Sequence, residues 1–169
     1  DSLFWMALNA FGIAVTTFAG QNFGAGKYDR VHKCVRVSMG MAMGMTIVLS
    51  GLLLLTERFT LGLFCRVAEV LVYGEKMMFY MVTFYFTYVP IEVLSGAIKG
   101  AGDSLRPMII TLLGICVLRV AWVLLMVPIW HNLFTLSISY PISWLTTAII
   151  FIIYYFKSDW MQRCIRAKS

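Results

Sequence analysis

The pattern of hydrophobic and polar positions divides the chain into long apolar runs separated by short charged stretches. Three runs contain no Asp, Glu, Lys or Arg: Ser2 to Gly26, Val37 to Thr56 and Val120 to Phe156. A helix of about 20 apolar residues crosses a bilayer core, so each run is long enough to span a membrane, and the last holds most of two crossings. The pattern therefore predicts an all-α fold, a polytopic transmembrane helix bundle.

Charged residues mark the ends of the predicted spans. On this basis the chain has five crossings, at about Ser2 to Gln21, Val37 to Thr56, Met77 to Ile98, Met108 to Trp130 and Leu133 to Phe156. The third and fourth crossings each contain a charged residue inside the apolar run. We expect the segment Phe59 to Val72, in which charges interrupt the apolar residues, to lie along the outer membrane surface as a short helix or loop.

The composition supports a membrane protein and excludes several other classes. Hydrophobic residues make up 60% of the chain and charged residues 13%, whereas soluble domains have about 45–50% apolar and about 25% charged residues. The net charge of +6 comes from basic residues beside the apolar runs, where membrane topology explains them without nucleic acid. The four cysteines lie in different regions, and the chain has no HExxH or GxSxG motif. We therefore expect no metal site, no cofactor and no enzyme.

The basic residues are distributed unequally between the two ends of the predicted spans. Ten lie on one side, in the loops 22–36 and 99–107 and in the tail 157–169, and three lie on the other. Basic loops remain in the cytoplasm, so we predict a cytoplasmic basic tail at residues 157–169 and an external segment at 59–76. Because the chain begins with Asp1 in an apolar run, we expect it to be a piece of a longer protein with further spans upstream.

The third predicted span carries an acidic residue in a stripe of polar and aromatic side chains. Three- and four-residue steps, which place residues on one helix face, separate Tyr85, Tyr88, Glu92 and Ser95. The next span contains one charge, Arg119, which costs about 2.5–3.5 kcal/mol at mid-membrane if it is unpaired. Consecutive antiparallel helices are usually neighbours. Two interpretations stay open: a structural Glu92–Arg119 charge pair, and ion coupling in which Glu92 faces a cavity and exchanges a proton or a cation.

Glycine and proline residues mark predicted packing positions and a predicted hinge. The spacing Gly-x-x-x-Gly lets neighbouring helices approach closely, and it occurs at Gly20 with Gly24 and at Gly96 with Gly100. A proline removes one backbone hydrogen bond and bends a helix. We therefore expect Pro90 to bend the third span and to serve as a hinge.

The first span carries its own polar residues. Asn9 and Thr16 are seven residues apart and share one helix face. They either pack against other helices or line a cavity together with the tyrosines and Ser95 of the third span.

Two stretches resemble the multidrug and toxic compound extrusion (MATE) family of transporters. NAFGIAVTTFAGQNFGAGKYDRVHKCVRV resembles the eighth span of the family and the loop after it. SGAIKGAGDSLRPMIITLLGICVLRVAWVLL resembles the junction of the tenth and eleventh spans, where the usual pattern is GxxRGxGDxxxP and where Lys99 replaces the common Arg. The resemblance covers essentially the whole chain, and the two motifs fall at the separation that the family shows.

The resemblance implies a twelve-span protein of two lobes that alternates access and exports organic, often cationic compounds against inward Na⁺ or H⁺. The chain would supply spans eight to twelve of such an antiporter, in a bacterial plasma membrane with its C-terminus in the cytoplasm. Its partners would be the bilayer, a small-molecule substrate and the missing N-terminal spans, without which we expect no transport. Counting back from GAGD places Tyr88, not Glu92, near the acidic cation site of some members. A lipid-linked oligosaccharide flippase of related fold and a non-transporting membrane scaffold remain the alternatives.

Overall fold

The computed structural model describes residues 2–64, 68–130 and 133–168, and every regular element in these ranges is helical. The elements in chain order are α1 (Ser2–Gly24), α2 (Tyr28–Phe64), α3 (Ala68–Thr83), a 3₁₀ turn (Tyr85–Thr87), α4 (Val89–Gly100), α5 (Leu105–Thr111), a π-helical segment (Leu112–Val117), α6 (Leu118–Met126), α7 (Leu133–Lys157) and α8 (Trp160–Lys168). Within the described ranges, five stretches are long and apolar enough to cross a membrane: Ser2–Gly24, Tyr28–Thr56, Leu71–Gly100, Leu105–Met126 and Phe134–Lys157. The predicted all-α bundle of five spans is confirmed.

Helix α2 extends well beyond the apolar run from which it was predicted. It contains 37 residues, about 55 Å of helix, and it begins in the basic segment at Tyr28 and continues to Phe64. Lysine, arginine and glutamate are good helix formers, so charges mark the end of the apolar stretch and not the end of the helix. Most of the segment 59–72, expected as a separate surface element, belongs to α2 and α3; residues 65–67, including Cys65 and Arg66, lie outside the described residues.

The third span is not one continuous α-helix. Helix α3 ends at Thr83, and α4 starts again at Val89 after a 3₁₀ turn. The Phe84 carbonyl accepts both the backbone N–H of Thr87 at 3.0 Å and its hydroxyl at 2.7 Å. Pro90 lies in the first turn of α4. Backbone N–H groups in a first turn have no acceptor within the helix, so a proline there removes no helical hydrogen bond. Pro90 therefore starts a helix here.

The fourth span contains a widened turn. Gly114 lies in the π-helical segment and is buried, and a β-carbon at this position would overlap the hydroxyl of Thr147 on α7. Thr147 in turn donates to the Ser143 carbonyl at 2.6 Å. The absence of a side chain at Gly114 thus lets the fourth span lie directly on α7. Residues 131 and 132, which join the fourth and fifth predicted spans, lie outside the described residues.

Two helices occupy the centre of the described structure. Helix α4 contacts α1, α2 and α7, and nearly all of its residues are buried. Helix α7 contacts α3, α4, α5 and α6. Helix α6 packs on α7 rather than on α4. Consecutive spans are therefore not neighbours at this point, because α7 separates α4 from α6.

The basic tail contains an ordered helix. Trp160 and Cys164 of α8 are buried, and the indole of Trp160 donates to the Tyr155 carbonyl of α7 at 3.1 Å. The hydroxyl of Tyr155 lies 2.7 Å from His32 Nδ1 on α2. These contacts attach α8 to the ends of α2 and α7.

Candidate functional site

Helices α1 and α4 meet along two stripes of small residues. Each stripe repeats every four residues, so its members share one helix face: Gly12, Thr16 and Gly20 of α1 face Glu92, Gly96 and Gly100 of α4. A β-carbon at Gly96 would lie 2.9 Å from the Gly12 carbonyl oxygen, and one at Gly20 would lie 3.1 Å from the Gly100 carbonyl oxygen. The two backbones are therefore in direct contact, as small residues permit.

The structure separates the four glycines that the sequence singles out. Gly20, Gly96 and Gly100 lie in the α1–α4 contact, whereas a β-carbon at Gly24 would meet nothing within 4 Å. Gly12 belongs to the same contact but does not feature in the sequence prediction. The signal for it is its position two four-residue steps before Gly20, which a longer search for the same spacing detects.

The carboxyl group of Glu92 occupies the space that Gly12 leaves free. A β-carbon at Gly12 would overlap this carboxyl group, and Glu92 itself is half-buried. The side chain of Lys99, two turns further along α4, lies within electrostatic range of the carboxylate. A carboxylate inside a membrane span is costly unless it is paired or binds a cation, so this position is suited to taking up a proton or a metal cation.

The structure does not contain the predicted Glu92–Arg119 ion pair. Arg119 Nη2 donates to Ser143 Oγ at 2.9 Å, and the guanidinium lies 4.0 Å above the ring of Tyr140. Both partners are on α7, the helix that lies between α4 and α6. The inference from chain order was wrong because α6, which carries Arg119, packs against α7 and makes no comparable contact with α4. The Nε atom of Arg119 is buried and has no hydrogen-bond partner among the described residues.

An aromatic cluster lies beside both Glu92 and Arg119. Its members come from α1, from the interruption of the third span and from α7: Phe4, Trp5, Tyr85, Tyr88, Tyr140 and Trp144. The ring centroid of Trp5 lies 4.9 Å from that of Tyr88 and 5.8 Å from that of Trp144. Tyr88 lies within electrostatic range of both Glu92 and Arg119. Aromatic faces attract organic cations, and a nearby carboxylate strengthens that attraction.

The sequence identifies only part of this cluster. Tyr85 and Tyr88 are predicted cavity residues, and the structure places both in the cluster, with the Tyr85 hydroxyl buried and without a partner among the described residues. Trp5, Tyr140 and Trp144 were missed. They lie far from the third span in sequence, and only the packing of α1 and α7 on α4 brings them together.

The other predicted cavity residues have local roles. The hydroxyl of Thr16 donates to the Gly12 carbonyl at 2.8 Å, and that of Ser95 donates to the Glu92 carbonyl at 3.2 Å. Asn9 is exposed and therefore does not share the half-buried position of Thr16 in the helix contact. The described part of the chain contains no group of three or more His, Cys, Asp or Glu residues that could hold a metal ion.

Comparison with known proteins decides the family. The MatE family profile matches residues 1–125. The chain belongs to the MATE family. MATE proteins are cation-coupled membrane transporters and not enzymes, and the chain is accordingly part of a multi-pass membrane transporter.

Two relatives come from Bacillus subtilis (strain 168). The chain is 26% identical to "Probable multidrug resistance protein YoeA" over 106 residues, which cover 63% of the chain and 23% of the relative. It is 24% identical to "Probable multidrug resistance protein YpnP" over 161 residues, which cover 95% of the chain and 36% of the relative. The matched region thus corresponds to about a quarter to a third of these MATE relatives.

Proposed function

We propose that the protein exports organic, often cationic compounds by alternating access in exchange for Na⁺ or H⁺, and that Glu92 takes up the coupling cation. The observation that carries this proposal is the position of Glu92, whose carboxyl group lies in the α1–α4 contact one helical turn from Tyr88 in the aromatic cluster. The names of the two relatives, both multidrug resistance proteins, agree with this substrate class.

The position of Glu92 near the aromatic cluster gives a physical reason why an organic cation would be exchanged for a proton or Na⁺. An organic cation on the aromatic cluster and a proton or Na⁺ on Glu92 are two positive charges near each other in a medium of low dielectric constant, where repulsion is strong. Binding of one therefore weakens binding of the other, and this coupling is reciprocal. Antiport requires such a coupling, because substrate and cation then favour different states of the transporter.

The interruption of the third span provides a place where the helix can change direction. Residues between Thr83 and Val89 form a 3₁₀ turn in place of continuous α-helix, and hinges are usually a few residues at the ends of elements. Tyr85 and Tyr88 lie in this turn and at its end. A movement of α3 against α4 would therefore alter the aromatic cluster and leave the α1–α4 contact in place.

The proposed orientation follows the basic residues. The loops 22–36 and 99–107 and the tail 157–169 face the cytoplasm of a bacterial cell, and the segment 59–76 faces the outside. Transport also needs the second lobe of the MATE architecture, because five helices do not enclose a cavity between two lobes. Residues 1–169 expressed alone are thus expected to insert into the membrane without exporting substrate.

Counterflow in proteoliposomes tests the function. The full-length transporter that contains these residues is reconstituted, and uptake of ethidium is measured under an imposed Na⁺ gradient and, separately, under an imposed pH gradient. We expect one of the two gradients to drive ethidium accumulation. Gradient-independent movement of a lipid-linked oligosaccharide would instead indicate a flippase. The absence of any movement with correctly folded protein would indicate a scaffold.

A further inference from the structure

A groove of about 580 Å³ lies between α1 and α2 near the turn that joins them. We call it the basic groove. Phe18 of α1 and Val37 of α2 form its apolar part, Arg30 and Lys33 of α2 form its charged part, and Cys34 also lines it. The groove is separate from the Glu92 site, which lies in the contact of α1 with α4.

The two parts of the basic groove lie at different depths. Lys33 and Arg30 precede Val37 by four and seven residues, which corresponds to about 6 Å and about 10 Å along the helix. Phe18 and Val37 are 46% and 52% exposed, so the apolar part is open to a ligand. The charged part therefore lies toward the membrane surface and the apolar part toward the bilayer core.

The two cations of the groove are not neutralised within the described part of the chain. Neither Arg30 nor Lys33 makes an ion pair or a side-chain hydrogen bond there. Asp29 lies one helical turn before Lys33 on α2, a spacing at which an ion pair can form, but the two side chains are not paired. Arg106, by contrast, binds Asp103 at 2.6 Å. The basic groove thus offers two free positive charges beside an apolar channel.

We propose that the basic groove binds an anionic glycerophospholipid, with its phosphate between Arg30 and Lys33 and one acyl chain along Phe18 and Val37. Basic pockets between transmembrane helices are suited to anionic headgroups. A free phosphate would use only the charged part, and an organic cation would be repelled by it. A further helix of the same protein would fit over the groove only if it carried acidic residues opposite Arg30 and Lys33, because buried unpaired cations are costly.

Native mass spectrometry of the full-length transporter tests the proposal. The purified protein is titrated with phosphatidylglycerol and with phosphatidylcholine that carries the same acyl chains. Arg30→Gln with Lys33→Gln should weaken phosphatidylglycerol binding about thirtyfold, because each basic residue near an anionic surface contributes about fivefold. Phosphatidylcholine binding should change little. The matched control removes two basic residues outside the groove, Lys27→Gln with Lys157→Gln, and should retain phosphatidylglycerol binding.

Two further measurements distinguish a phospholipid headgroup from free inorganic phosphate as the ligand of the groove. Phe18→Gln should also weaken phosphatidylglycerol binding, and inorganic phosphate should fail to displace the lipid. If Phe18→Gln has no effect and inorganic phosphate displaces the lipid, the groove is a phosphate site and the proposal is wrong. Equal binding by the groove variant and the control variant would also overturn it.

Alkylation of Cys34 in the unmodified protein provides a test that does not depend on the folding of variants. A thiol reagent is added in detergent with phosphatidylglycerol or with phosphatidylcholine. Phosphatidylglycerol should slow the reaction of Cys34, because the lipid would cover the groove. Equal rates with the two lipids, or a thiol that never reacts because another helix covers it, would contradict lipid binding.

Discussion

The contact between α1 and α4 predicts that Gly100 cannot be replaced by alanine without separating the two helices. A β-carbon at this position would overlap the Thr16 carbonyl oxygen, and it would lie 3.0 Å from both the Ala19 β-carbon and the Gly20 amide nitrogen. All three are backbone atoms or the first atom of a side chain, so no rotamer change removes the overlap. The substitution Gly100→Ala must therefore move α1 away from α4.

Two opposing effects determine how much Gly100→Ala should change the free energy of unfolding. Adding a methyl group to a fully packed contact costs about 1–3 kcal/mol, whereas alanine in place of glycine in a helix gains about 0.5–1 kcal/mol. The gain is small at Gly100, the last residue of α4, so we expect a net destabilisation of about 1–2 kcal/mol. Gly24→Ala is the matched control, because a β-carbon there meets nothing within 4 Å. It should be neutral or slightly stabilising.

Thermal unfolding of the full-length transporter in detergent measures this difference. The melting temperature of Gly100→Ala should fall clearly below that of the unmodified protein, and that of Gly24→Ala should not fall. A Gly100→Ala variant that melts together with the Gly24→Ala control would refute the close contact of α1 with α4. The position assigned to Glu92 would then be wrong as well.

Two further predictions concern charge and thiol chemistry. Because Arg119 is held by α7 and not by Glu92, the stability losses of Arg119→Leu and Glu92→Gln should add; recovery of the melting temperature in the double variant would show that the two residues do pair. Burial raises the pKa of the Cys164 thiol, so at neutral pH less of it is thiolate than in an ordinary exposed cysteine, and its labelling by maleimide should accelerate as the pH rises; a labelling rate that does not change with pH would contradict this. In intact cells a membrane-impermeant reagent should label neither Cys164 nor Cys34, and labelling of Cys34 would reverse the proposed orientation.

The number of spans could be predicted from the sequence, because hydrophobicity alone determines it. Long apolar runs, two of them with a single internal charge, are enough to reveal the five spans. The bounds of α2 could not be predicted, because Lys33 and Arg36 lie inside the helix and charge limits the membrane region without ending a helix. The interruption after Thr83 was also missed, since Pro90 indicates a disturbance but not whether the helix bends or stops.

The site could be predicted only in part, because its geometry depends on which helices are neighbours. Glu92 is evident from its charge in an apolar span, and glycine spacing indicates a close helix contact. The partner of Arg119 could not be found from the sequence, because α7 lies between α4 and α6. For the same reason Trp5 and Trp144 entered the site only through the structure.

The most direct test of the central claim, that Glu92 carries the coupling cation, is gradient-driven ethidium counterflow by a Glu92→Gln variant of the full-length transporter. Glutamine keeps the size of the side chain but cannot bind a proton or a metal cation by charge. We predict that Glu92→Gln binds ethidium but no longer accumulates it under the gradient that drives the unmodified protein, whereas the exposed control Asp159→Asn transports normally. Unchanged gradient-driven accumulation by folded Glu92→Gln would contradict the account.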